Sequence, residues 1–295
     1  MAQTKIIQRR IRSVKNAKQI TKALEVVAAS RMRKVVEALE RSRTYGNVAT
    51  MIMERIAHSQ EAKLHPFFGP AADKPALYVV ITSDRGQAGA FNSNIFHLTI
   101  QSAKAERYHP QVVVYGRKGA RFFAHVGGIE LKGAYEDIAD MPDVNVFAPL
   151  VEMINGAMGT GQIGLVKIIY TEFISALTQK ASSFQLLPIN QAMKTDAPDA
   201  SKAQQQSDDT VYEFEPEIKD VLDEAIKLYF EARLMQARIE SAASEHAMRM
   251  VAMGNANRNA SDLIDALTLE LNATRQAAIT QEIAEITGGA EAIAA

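Results

Sequence analysis

Apolar and small residues recur every three or four positions along the last part of the chain. Val221, Ala225, Leu228, Ala232, Met235, Ile239 and Ala242 fall on one stripe, which resumes after His246 and Arg249 with Met253, Ala256, Ala260, Leu263 and Leu267. No proline follows Pro216, and between Pro216 and Gly288 the only glycine is Gly254. This spacing predicts one side of a helix long enough for a coiled coil. At 1.5 Å per residue, some 70 residues would run roughly 100 Å, too long for a compact domain of this size, so the helix must pack on something equally long. Its many alanines let a partner backbone approach closely. His246 and Arg249, which interrupt the stripe, read as devices that set register.

The opening of the chain repeats the pattern. Ile7, Ile11, Val14, Thr21, Ala28, Val35, Ala38, Tyr45, Ala49, Ile52 and Ile56 share a stripe, with no proline before Pro66. The expectation is an antiparallel pair made from the two ends of the chain: a first helix over 1–60 and a last helix over 211–290.

Between them the period changes. His65 to Pro75 is rich in breakers and reads as a linker. Ala76 to Ser83 is a continuous apolar run, typical of a strand buried on both faces. The chain then predicts a helix from Asn92 to Tyr108, a strand over 112–116, a helix over 117–126, a helix over 144–158, and strands over 163–171 and 182–189. This alternation gives an α/β domain over 75–190. Residues 191–210, rich in Ala, Gln, Ser and Asp and without period, read as a mobile linker that tolerates replacement.

Charge strengthens the pairing of the ends. Residues 1–43 carry 12 Lys or Arg against 3 Asp or Glu, while residues 211–295 carry 7 against 15. A basic helix lying on an acidic one also accounts for a whole-chain net charge of −1. The 295 residues contain no cysteine, which excludes disulfides, thiolate nucleophiles and cysteine-based zinc sites. No apolar run approaches the roughly 18 residues that span a bilayer. The basic, amphipathic start resembles a transit peptide in composition, but its stripe continues past residue 40, so it reads as part of the mature fold.

Chemistry is sparse. The turn after the first strand, Asp84-Arg85-Gly86-Gln87-Ala88-Gly89, offers only Gly-x-x-Gly and lacks the Lys-Ser/Thr of a phosphate cradle. A tight strand-to-helix turn explains it without a ligand. The six histidines are scattered without metal-ligand spacing, and no nucleophile-elbow sequence occurs. No cofactor is expected. The basic first helix lacks the interleaved aromatics of a nucleic-acid binder, and the acidic last helix is a simpler destination for its charge. Two readings compete: a mechanical or structural subunit, and a coiled-coil scaffold or adaptor whose α/β domain senses a nucleotide.

Motifs in three regions of the chain, in order, carry a resemblance. Ile20-Thr21-Lys22-Ala23-Leu24-Glu25-Val26-Val27-Ala28-Ala29-Ser30-Arg31-Met32-Arg33-Lys34 opens the chain, and Ser83-Asp84-Arg85-Gly86 with Gly89 and Asn92 stands in the middle. Glu245-His246-Ala247-Met248-Arg249-Met250-Val251-Ala252-Met253 and Arg275-Gln276-Ala277-Ala278-Ile279-Thr280-Gln281-Glu282 lie near the end. Together these resemble the gamma subunits of F-type ATP synthases, end to end. Leu24 and Val26 stand where methionine is usual, an apolar exchange a seam tolerates. Gln87-Ala88 stands where Leu-Cys is usual. The absence of an insertion with paired cysteines argues against the redox-regulated chloroplast form, and Met1 close to the first motif points to a bacterial chain.

The resemblance implies antiparallel N- and C-terminal helices forming a long coiled coil, with an inserted Rossmann-like α/β domain. It implies the central stalk of a proton-translocating synthase, turning with the c ring and driving the beta subunits through their conformations without catalysing a reaction itself. Its implied partners are the alpha and beta subunits of the catalytic hexamer, the epsilon subunit and the c-subunit ring. It would touch the membrane only through that ring, at the cytoplasmic face of a bacterial inner membrane. Matched residue by residue, Arg275, Gln276, Thr280 and Glu282 would meet beta-subunit loops at one end of the helix pair. Leu24 and Arg249 would meet another beta loop. Tyr45, Phe214 and Glu215 are expected to touch the c ring or epsilon.

Overall fold

A computed structural model describes residues 2–57, 62, 65–69, 73–189 and 218–294. The order is α1 (Ala2–Ala57), a 3₁₀ turn (Pro66–Phe68), β1 (Ala76–Ile81), α2 (Phe91–Ala105), β2 (Gln111–Tyr115) and α3 (Arg117–Phe123). Then follow β3 (Glu130–Tyr135), a second 3₁₀ turn (Val144–Phe147), α4 (Ala148–Gly159), β4 (Leu165–Phe173), β5 (Gln179–Leu187) and α5 (Ile218–Ala294). The proposed linker over 191–210 lies outside the described residues.

The chain divides into two compact units, one of residues 30–248 and one of 1–29 with 249–295. In the larger unit the sheet order is β3-β2-β1-β4-β5, parallel throughout except for antiparallel β5. The two-residue period of a strand sorts β1 between two cores. Leu77, Val79 and Ile81 face one core with Met53 of α1, Leu150 and Ile154 of α4, and Tyr229, Phe230 and Leu234 of α5. Ala76, Tyr78 and Val80 face the other, with Phe91 and Ile95 of α2 and Phe123 of α3. A strand covered on both sides has no use for polar alternation, which is why β1 is apolar throughout.

β3 is absent from the sequence reading. Its residues Glu-Leu-Lys-Gly-Ala-Tyr alternate between exposed and half-buried, and Gly133 interrupts them. As an edge strand with one wet face it carries neither an apolar run nor β-branched residues, so its signal is weak. The seam also shifts in phase. Leu228 and Leu263 are exposed while Ile226, Tyr229 and Leu267 are buried, and on α1 Tyr45 and Ile52 are exposed beside buried Gly46 and Met53.

In the smaller unit the two helix segments pack antiparallel. Ile7 and Ile11 meet Leu267, flanked by Val14, Ile264 and Leu271. Nearer the other end of this segment, a Cβ on Gly254 would lie 3.8 Å from the Glu25 carboxyl carbon. Within the larger unit α1 and α5 are also antiparallel: Gly46 lies against Gln236, and Arg43 Nε donates to Glu240 Oε1 at 3.0 Å.

Candidate functional site

The residues singled out by the motifs fall into three places. Arg275, Gln276, Thr280 and Glu282 stand on α5 in the smaller unit, all exposed. Around them Ile279, Ile283 and Ile286 are also exposed, and every described position from 281 to 290 is open to solvent. The antiparallel pairing sets Ile7 and Ile11 of α1 against Leu267, and positions 281 to 290 of α5 lie beyond that contact. Apolar side chains at i, i+4 and i+7 without cover form a face suited to contact another molecule.

Leu24 and Arg249 share a second stretch of the same unit, both half-buried, one beside Glu25 and the other five residues before Gly254. Tyr45 belongs to the larger unit. It is 54% exposed and continues into an apolar face with Val48, Met51 and Ile52. Phe214 and Glu215 lie outside the described residues.

The middle motif has a structural occupation. Asn92 Oδ1 accepts from Ser83 N at 3.1 Å while its amide donates to Ser83 Oγ at 2.8 Å, pinning the start of α2 to the end of β1. Asp84 Oδ1 accepts from the backbone of Arg117 at 2.9 Å and of Asp137 at 3.1 Å, tying together the turns after β1, β2 and β3. Gly116 has φ 110°, and a Cβ there would collide with the Thr82 carbonyl oxygen, so only glycine lets β2 turn this closely past β1.

In open α/β sheets, ligands settle beyond the strand C-termini where the strand order reverses, here between β1 and β4. α5 packs beside the C-terminal end of β4, on one side of that crevice. Ser241 Oγ accepts from Thr171 N at 3.1 Å, and Ser244 Oγ donates to Thr171 O at 3.2 Å. Ala242, Ala243 and Ala247 bury themselves against Phe173 from β4 and Val35 and Leu39 from α1.

From Ala237 to Ala247 every residue of α5 is buried, including Arg238, Glu240, Glu245 and His246. Arg43 serves Glu240 and also donates from Nη2 to Phe173 O at 2.8 Å. Arg238 Nη2 donates to Ile138 O at 2.8 Å, and His246 Nε2 lies 2.8 Å from Asp140 Oδ2. Burial pushes the Asp140 carboxyl up, but the hydrogen bond and charge of His246, helped by Arg238 and Arg31, outweigh it and hold it below the usual carboxylate range. The sequence displayed these polar residues but not their partners, because Asp140 and Ile138 lie over a hundred positions away or close to it. Among the described residues no cluster of His, Asp and Glu is placed to hold a metal, and no helix is long and apolar enough to cross a membrane.

A sequence model described as ATP synthase matches residues 3–293. The chain is 39% identical over 296 residues to the ATP synthase gamma chain of Legionella pneumophila (strain Corby), covering 99% of this chain and 100% of that one. It is 36% identical over 293 residues to the ATP synthase gamma chain of Desulfitobacterium hafniense (strain DSM 10664 / DCB-2), with the same coverage. Its fold is similar to a chain of the Euglena gracilis mitochondrial ATP synthase rotor in rotational state 1, with TM-score 0.63 and 18% identity over 94% of this chain and 99% of that one. A second chain, from the OSCP/F1/c-ring assembly of the same synthase in rotational state 3, gives TM-score 0.65 at 20% identity over 99% and 95%. On the strength of these full-length matches, the chain belongs to the ATP synthase gamma-chain family.

Proposed function

We propose that this chain is the central stalk of a proton-translocating ATP synthase and carries torque between a membrane ring and a catalytic hexamer. The observation that carries the reading is a full-length family match on a chain whose two ends pair as helices with an uncovered apolar tip. The helix pair stands within the ring of alpha and beta subunits, while the α/β body meets the epsilon subunit and the c ring. Rotation presents a different side of an asymmetric pair to each beta subunit in turn. Each beta site is then biased among its conformations by differential contacts, the only way a partner shifts such an equilibrium. The complex lies at the cytoplasmic face of a bacterial membrane, to which this chain attaches only through the c ring.

In this reading Arg275, Gln276, Thr280 and Glu282 contact beta loops at the tip, and Leu24 and Arg249 do so lower down. Tyr45, on its exposed apolar face, meets the c ring or epsilon. In this reading the chain itself catalyses nothing, and the turn after β1 lacks the Lys-Ser/Thr of a phosphate cradle.

Reconstitution tests this directly. Alpha, beta, epsilon and membrane subunits are assembled with and without the chain, and ATP-driven proton uptake into vesicles is followed. Uptake that requires the chain supports the rotor. Uptake unaffected by its omission, or ATP hydrolysis by the isolated chain, defeats it.

A further inference from the structure

We propose that the outward face of α1 over residues 41–55 is the docking site of the epsilon subunit, taken by an apolar segment of that subunit flanked by carboxylates. The proposal rests on the rotary reading above and names which partner the face around Tyr45 receives.

In this stretch α1 is apolar on two opposite sides. Toward the body it presents Gly46, Met53 and Ile56. A Cβ on Gly46 would sit 2.5 Å from Gln236 Oε1, and Met53 and Ile56 belong to the core shared with β1 and α5. At the helical period of about 100° per residue, Tyr45, Val48, Met51 and Ile52 fall within an arc of about 120° on the other side. Each of the four is 48–54% exposed. A helix that is apolar all round is one that is buried all round. Four large side chains in two turns also form a contiguous patch rather than scattered exposure, the mark of a contact surface.

The rim of the patch has one sign. Arg41 and Arg55 fall on the same arc, about one turn before Tyr45 and one turn after Ile52, and both are exposed. Neither has an ion pair among the described residues. The only acid between them is Glu54, which is half-buried. Arg43 is already engaged within the chain, on Glu240 and on Phe173 O. A partner that fits therefore carries apolar side chains over about 10 Å, the rise of two turns. Carboxylates on either side complement the arginines and turn away basic competitors.

Position and motion select the subunit. Arg43 reaches the end of β4, while Met53 packs with Leu77 and Val79 of β1. The patch thus runs along the flank of the α/β body rather than across either end. In the rotary reading the hexamer surrounds the helix pair, and an apolar contact with a stationary subunit would have to part in every turn. The c ring turns with the chain but stacks on the rotation axis, at an end of the body. Epsilon turns with the chain and can lie along the flank, where such a contact persists through the cycle.

Photochemical capture in the assembled complex tests the site. Val48→benzoylphenylalanine is irradiated and the captured subunit is identified by mass spectrometry. The control is Tyr108→benzoylphenylalanine, just beyond α2, which covers the opposite face of the sheet. The proposal predicts capture of epsilon from position 48 and not from 108. Capture of an alpha, beta or c subunit from 48, of no subunit, or of epsilon equally from both positions overturns it. Purified epsilon is also titrated against the full chain. Met51→Asp should weaken binding at least tenfold, the scale of an interface anchor, with the melting temperature of the chain unchanged because the side chain is exposed. Wild-type affinity in Met51→Asp overturns the site; if that variant melts early, Tyr45→Asp is judged by the same criterion. The double change Arg41→Ala, Arg55→Ala should make binding less sensitive to salt, and an unchanged salt dependence overturns the carboxylate flanks. Proton uptake that does not require the chain defeats the rotary reading; uptake that requires it, with position 48 capturing another subunit, defeats only the docking site.

Discussion

The two units use the same pair of helices in opposite ways. Between residues 30 and 248, α5 has eleven consecutive buried positions, and Phe230 and Leu234 sit in a core shared with the sheet. Between 249 and 294, burial falls to isolated points such as Met253 and Leu267, while Leu263, Leu269, Ile279, Ile283 and Ile286 are exposed, the last at 72%. Burial of apolar surface is what stabilises a fold, so the larger unit is built to hold itself together. The smaller unit leaves apolar side chains uncovered. On the proposed reading, a surface that selects partner conformations must leave its contacts unspent in the free chain, and the contrast is what that reading requires.

Truncating the core of the larger unit should have the largest effect. Phe230→Ala removes a fully buried ring that packs on Phe67 and Tyr229, and should cost about 3–5 kcal/mol. Chemical denaturation of the isolated chain measures it. A loss below 1 kcal/mol would erase the distinction between the units.

Leu267→Ala, in the thin seam with Ile7 and Ile11, should cost about 2 kcal/mol, at the low end for buried leucine because only one helix packs on it. Its effect should appear as earlier exchange of amide hydrogens in 1–29 and 249–294, with exchange in the sheet unchanged.

How far these contrasts were legible in the sequence depends on the element. The long helices, their antiparallel pairing and most strands follow from periodicity and charge. The phase of the seam does not, because a helix enclosed by the sheet, a loop and α1 has no single apolar stripe to find. Arg238, Glu240 and His246 look like surface residues until Ile138, Arg43 and Asp140 are brought to them. β3 was missed because an edge strand with an interior glycine mimics a loop. Of the candidate site residues, the exposure of Arg275 and Gln276 follows from the register of the pair. Tyr45 was counted in the seam as well as at a contact surface, and only its exposed position is observed.

An acid-sensitive contact sharpens the account of the larger unit. Glu106 accepts from Tyr78 OH at 2.8 Å and from Lys167 Nζ at 2.9 Å. Burial pushes its carboxyl up, yet the hydrogen bonds from Lys167 and Tyr78 prevail and hold it below its ordinary value. A carboxyl depressed in the folded state contributes stability that is complete above its unfolded pKa and is lost as pH falls through the folded one. Glu106→Gln should therefore cost about 1 kcal/mol at pH 7, and the gap to wild type should close below the ordinary carboxylate range near pH 4. A gap that stays constant into acid would show that the charge of Glu106 is not what matters.

The smallest expected effect on the fold belongs to the tip, and there the central claim is most exposed to test. The double change Arg275→Ala, Gln276→Ala removes two exposed side chains and should alter the stability of the isolated chain by only about 0.5 kcal/mol. Hydrogen bonds to charged groups contribute about 1.5–3 kcal/mol each, so losing such contacts in the assembled complex should slow ATP turnover about tenfold, the factor that 1.4 kcal/mol represents. Melting of the free chain and turnover of the reconstituted complex are measured on the same variant. The account predicts an unchanged melting temperature with slowed turnover; normal turnover in a fully assembled complex, or unfolding of the free chain, would contradict it.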